Sequence, residues 1–284
     1  MGYQVEVFRM QSPKPREHAS TASTLLPSLM AIFLFALLLR GLFVVGVAVA
    51  HSGNGLAHLN GDSAEYLHLG MNLAYDGSYV RDHLRSQIKG LVRPPLYPLT
   101  LAVAIAVAGP TEPVSYTVPS EVDWEITPAQ GYEWEHVLSS SVEGPLVLLL
   151  AAQAFGDALT ATLTAWMAWH IFRRRWTAVA AGVAMALNPT AIGLTAVVLA
   201  DGPFALAVTA ALAATMGAAA TARRDDREGR WRLYTLAVMA GLAWGAGQML
   251  KPALTFWPLV LPLVWLMMCP RNTCGGSVIW PAKF

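Results

Sequence analysis

Long apolar stretches alternate with short polar ones along most of the chain. Runs at Leu25–Ala50, Pro145–Phe172, Thr177–Ala200, Pro203–Thr221, Leu233–Leu250 and Ala253–Met268 carry almost no charge. Each approaches the roughly 20 residues that cross about 30 Å of hydrocarbon as a helix, so the pattern predicts six membrane spans. The polar breaks carry a second pattern. Lys14 and Arg16 precede the first run, Arg173 to Arg175 follow the second, Arg223 to Arg232 follow the fourth and Arg271 follows the sixth. All of these clusters fall on one side if the N-terminus is cytoplasmic, as the positive-inside rule asks. A further apolar run, Leu96 to Gly109, would carry the later arginine clusters to the outer side if it crossed. At about 14 residues it suits an interfacial or re-entrant segment better.

The expected fold class is therefore an all-α integral membrane protein with about six transmembrane helices and a large first exoplasmic loop containing juxtamembrane helices. Residues 1–24 form a cytoplasmic tail, 25–50 the first transmembrane helix, 51–144 the exoplasmic juxtamembrane loop, 145–268 five further transmembrane helices and 269–284 a short tail. The first run exceeds the 7–15 apolar residues of a cleaved signal, so it reads as a retained span. Thr111 to Glu143 is rich in Glu, Asp, Pro and Ser without helical or strand periodicity, and reads as an irregular insertion.

Composition agrees with lipid as the solvent. Of 284 residues, 55% are hydrophobic and only 13% charged, against roughly 25% charged in soluble domains. No basic stripe suggests nucleic acid. Cys269 and Cys274 are the only cysteines, so there is no disulfide framework, and two thiols alone cannot fill a structural zinc site.

Against this background the stretch GDSAEYLHLGMNLAYDGSYV, Gly61 to Val80, is unusually polar. Asp62 followed three residues later by Glu65 makes a capping box for a helix through about Tyr75, and Gly77 supplies its stop. A helix there also holds Asp62, Glu65, Tyr66 and Leu69 on one face at the membrane surface. Capping and chemistry are compatible roles for Asp62.

The order of motifs resembles a known family. An apolar span is followed by D-x-x-E-Y, then N-L-A-x-x-G-x-Y at Asn72 to Tyr79, then R-P-P-L-Y-P at Arg93 to Pro98. Asn188-Pro189, L-A-D-G-P-F at Leu199 to Phe204 and GLAWGAGQMLKP at Gly241 to Pro252 come later. This arrangement is similar to the polytopic GT-C glycosyltransferases of the protein O-mannosyltransferase and aminoarabinose-transferase type, glycosyltransferase family 39, over roughly Leu25 to Leu266. The resemblance implies inverting transfer of a hexosyl or pentosyl group from a polyprenyl-phosphate sugar to a lipid, glycan or protein acceptor on the exoplasmic side of the plasma (bacterial inner) membrane. By position, Asp62 and Asp201 take the family's catalytic acids of the first and second outer loops, and Arg93 its phosphate-facing basic residue. Glu65, Tyr66 and Lys251 join Arg93 as candidate substrate-binding residues. Relatives commonly carry a second acid where this chain has Ser63, so the motifs define no metal site, and a divalent ion is left open as cofactor. Relatives also continue past the sixth span, which suggests that the C-terminal part is lacking.

The chemistry asks for the same residue types. Displacing a lipid phosphate from an anomeric carbon needs a base for the acceptor proton, the role of Asp62. The leaving phosphate gathers negative charge that a fixed guanidinium or ammonium stabilises, the roles of Arg93 and Lys251. Each residue also has a plainer reading: basic residues at span ends snorkel to headgroups, tyrosines such as Tyr66 form interfacial belts, and Asp201 before Gly-Pro suits a helix N-cap. Arg40 and Asp157 lie inside apolar runs, where an isolated charge is costly, and are expected to form a structural ion pair between the first two spans. The same two charges would suit a transporter or flippase, whose sites lie near the bilayer midplane. A truncated, non-catalytic membrane partner is the third reading.

Overall fold

The computed structural model describes residues 17–50, 63–79, 93–109, 143–222 and 227–252. Every regular element among them is an α-helix: α1 (Glu17–Ala50), α2 (Ser63–Tyr75), α3 (Leu96–Ala108), α4 (Glu143–Phe172), α5 (Arg175–Ala186), α6 (Pro189–Thr195), α7 (Asp201–Thr221) and α8 (Arg227–Leu250). Four are long and apolar enough to cross a membrane, through Leu25–Ala50, Gly144–Phe172, Asp201–Thr221 and Glu228–Leu250, and α5 with α6 makes a fifth if the bent pair is one span. The sixth run, Ala253–Met268, the C-terminal tail and the insertion up to residue 142 lie outside the described residues.

The third apolar run differs from the single span expected over Thr177–Ala200. Pro189 cannot supply the N–H of a continuing helix, and the Asn188 side chain instead accepts hydrogen bonds from the backbone N–H of Thr190 at 3.0 Å and Ala191 at 3.3 Å. A new helix therefore starts at a 50° bend from the old one. It ends at Thr195, and non-helical backbone leads to Ala200.

A broken helix in a membrane must find internal partners for its freed carbonyls, since lipid offers none. Two α1 and α4 side chains do this. Arg40, fully buried, donates from Nη1 to the Ala186 carbonyl at 2.9 Å and from Nη2 to the Met185 carbonyl at 3.3 Å, closing the end of α5. Its Nε donates to the Asp157 carboxylate. One turn earlier on α4, Gln153 donates to the Val197 carbonyl at 3.0 Å and the Thr195 carbonyl at 3.4 Å, serving the segment beyond α6.

Two apolar clusters flank this polar layer. One packs Ile32 and Ala36 of α1 against Ala158, Ala161 and Ala165 of α4 and Ala186 of α5. Its small residues let backbones approach closely, the usual device where lipid removes the hydrophobic drive for helix association. The other joins Tyr66, Leu67 and Met71 of α2, Tyr97, Leu101 and Ile105 of α3, Leu146 and Leu149 of α4, Val198, Ala200 and Ala207, and Leu250 of α8. The α3 helix has 13 residues, roughly 20 Å at 1.5 Å per residue, short of the hydrocarbon thickness. The α2 helix lies directly on it: a Cβ at Gly70 would stand 2.6 Å from the Leu101 Cβ. Only glycine permits that approach. Past the end of α2, Gly77 takes φ +64°, the left-handed conformation that stops the helix.

Candidate functional site

The second cluster gathers one end of the bundle. The N-terminus of α7 and the C-terminal end of α8 meet here, because the two helices pack antiparallel. Asp201 opens α7, and Lys251 follows the last residue of α8. Lys251 Nζ donates to the Asp201 carboxylate, and each side chain remains 34% exposed. Asp201 is not the N-cap that its Asp-Gly-Pro context suggests. The N-cap is Ala200, without a side-chain cap bond, since the carboxylate is turned to the ammonium while still lying in the first turn, where the helix dipole favours an anion.

Arg93 and Tyr66 meet beside α3. The Arg93 guanidinium carbon stands 5.5 Å from the centroid of the Tyr66 ring, a cation–π contact worth about 0.5–1 kcal/mol where partly exposed. Tyr66 in turn meets Tyr97 edge-on, centroids 5.0 Å apart. The Tyr79 hydroxyl donates to the Arg93 carbonyl at 2.6 Å, which ties the end of the α2 segment to the start of the α3 segment. Tyr97 is fully buried and its hydroxyl donates to the Gln153 side-chain oxygen. Burial first, and then the neighbouring Tyr66 phenol and Asp201 carboxylate, push the Tyr97 phenol far above its ordinary range. At any physiological pH Tyr97 is therefore a neutral donor.

Asp62 lies outside the described residues, immediately before Ser63, which is fully buried at the start of α2. Glu65 is in the first turn of α2, and its side chain is outside the described set. Arg40 and Asp157 come together deeper in the bundle, with Asp157 also accepting from the Thr195 hydroxyl at 3.5 Å. Among the described residues no group of three or more His, Cys, Asp or Glu is placed to hold a metal ion. The carboxylate of Asp201 is matched to an ammonium.

Gln153 is the group that sequence reasoning passed over. Its signal was present, an amide four residues before Asp157 within an apolar run and so on the same helix face.

The same residues fall within a stretch recognised by comparison. Residues 65–271 match the family model described as dolichyl-phosphate-mannose-protein mannosyltransferase. The chain belongs to this family. The mannosyltransferase match runs from the first turn of α2 to beyond α8, taking in Tyr66, Arg93, Asp201 and Lys251. The chain is accordingly a membrane glycosyltransferase that uses a polyprenyl-phosphate-linked sugar. No curated protein and no solved structure matches it.

Proposed function

We propose that this chain transfers a sugar, with inversion, from a polyprenyl phosphate to a hydroxyl acceptor on the exoplasmic side of the plasma membrane. Mannose and a protein acceptor are the first substrates to test, given the family description. The acceptor oxygen attacks the anomeric carbon, the bond from that carbon to the phosphate oxygen breaks, and polyprenyl phosphate leaves with the electron pair. Asp62 takes the acceptor proton. Lys251 and Arg93 neutralise the charge that builds on the phosphate. Asp201 holds Lys251 until the phosphate arrives. The released carboxylate then faces the acceptor side of the site, and Glu65 and Tyr66 contribute to substrate binding.

The observation that carries this reading is the half-open Asp201–Lys251 pair on the same packed cluster as Arg93 and Tyr66. A membrane-facing phosphate needs cations at one end of a bundle, held by packed elements, and accessible. The test uses Asp62→Asn. Asparagine caps a helix about as well as aspartate but cannot take a proton, and loss of a general base costs about 10²–10⁴ in rate. Transfer of labelled sugar should fall by that range while thermal stability in detergent stays at the wild-type value, and Glu65→Gln should keep most activity. A fully active Asp62→Asn protein would remove Asp62 from the mechanism.

A further inference from the structure

We infer that Gln153 is a positioning residue for the transfer reaction, one amide that clamps the Arg93-bearing and Asp201-bearing segments to α4. The proposal rests on the placement of the donor phosphate between Arg93 and Lys251.

Gln153 is 5% exposed in the middle of an apolar helix, a place where an amide is costly unless each of its polar atoms has a partner. Its oxygen accepts from the Tyr97 hydroxyl, and its nitrogen donates to the Val197 carbonyl at 3.0 Å and the Thr195 carbonyl at 3.4 Å. Only one orientation of the amide serves all three, because the two carbonyls can only accept. The contacts reach in two directions. Tyr97 lies four residues after Arg93 within R-P-P-L-Y and supports the Tyr66 ring over which the guanidinium sits. Val197 lies four residues before Asp201, in the non-helical backbone that delivers α7, and the intervening Val198 and Ala200 are fully buried. The segment that bears Arg93 and the segment that bears Asp201, the ion-pair partner of Lys251, are thus joined across a single side chain.

Gln153→Leu removes all three bonds at similar volume, and Tyr97→Phe removes one while keeping the ring. Spin labels at Leu99 on α3 and at Met249, two residues before the Lys251 that Asp201 holds, 47% and 56% exposed, report the spacing of the α3 arm from the Asp201–Lys251 end without any substrate. The distance distribution should broaden in Gln153→Leu and, to a lesser extent, in Tyr97→Phe. In the unlabelled variants kcat per folded molecule should fall by up to about 100-fold, the cost of roughly 1 Å of misplacement. The double variant should be no worse than Gln153→Leu alone, since both act through one clamp. An unchanged distance distribution, or a wild-type kcat per folded molecule in both variants, would overturn the proposal. If Gln153→Leu does not fold, Tyr97→Phe decides by the same two readouts. Should the wild-type chain transfer no sugar, the functional reading fails, and the distance measurement still decides the clamp.

Discussion

Asp201 and Lys251 are each one-third exposed, so their ion pair contributes no more than about 1 kcal/mol. A pair that weak is exchangeable. The donor phosphodiester carries one negative charge, as a carboxylate does, whereas the polyprenyl phosphate released from it carries more and competes better for the ammonium, so Asp201→Asn should bind polyprenyl phosphate several-fold more tightly than wild type while transferring sugar more slowly. Lys251→Met should lose most of that binding, and Lys251→Arg should keep it. Equilibrium binding in nanodiscs separates these outcomes, and equal weakening by Asp201→Asn and Lys251→Met would mean that the carboxylate helps to hold the phosphate. Both residues stand out in the sequence as charges at span ends, but nothing there pairs them. They are fifty positions apart and meet only because α7 and α8 pack antiparallel. Gln153 was harder to see because it is uncharged, and a neutral amide within an apolar run carries no signal that it needs a partner as strong as that of an isolated charge.

The break between α5 and α6 is stable because α1 and α4 answer its carbonyls. Arg40 connects three helices through Asp157, Ala186 and Met185. Leaving one partner of a buried pair alone costs about 3–5 kcal/mol. Asp157→Asn and Arg40→Leu should therefore each lower thermal stability strongly, and the pair of substitutions to leucine should recover part of the loss. A double-mutant cycle with no coupling would show that the two charges act independently. The engagement of Arg40 with backbone carbonyls also favours a bracing role over the substrate-path role that a transporter would give it. The charges were legible in the sequence because they interrupt apolar runs. The break was written there too, in Asn188-Pro189, yet the length of the run argued for a continuous span. Hydropathy measures the burial of side chains and is blind to a missing backbone donor, so it joined α5 to α6.

For the molecule as a whole, apolar length and all-helical class were legible because every backbone group in lipid must be satisfied within a helix. Orientation follows from the basic clusters, and we propose a cytoplasmic N-terminus with the Asp201–Lys251 end facing out. With Cys269 and Cys274 replaced by serine, a cysteine at the exposed Asp76 should be labelled by an impermeant reagent in intact cells, and one at the exposed Glu228 only after permeabilisation. The reverse pattern would place the site on the cytoplasmic side. The packing of α2 on α3 was not legible, since the close approach at Gly70 depends on which faces meet and not on either helix alone. The source of the sugar is decided by reconstituting the purified chain in nanodiscs with a hydroxyl-bearing acceptor peptide and labelled mannose carried either on polyprenyl phosphate or on a nucleotide. Label should reach the acceptor from the polyprenyl donor alone; transfer from the nucleotide sugar without the lipid carrier would rule out a polyprenyl-phosphate donor.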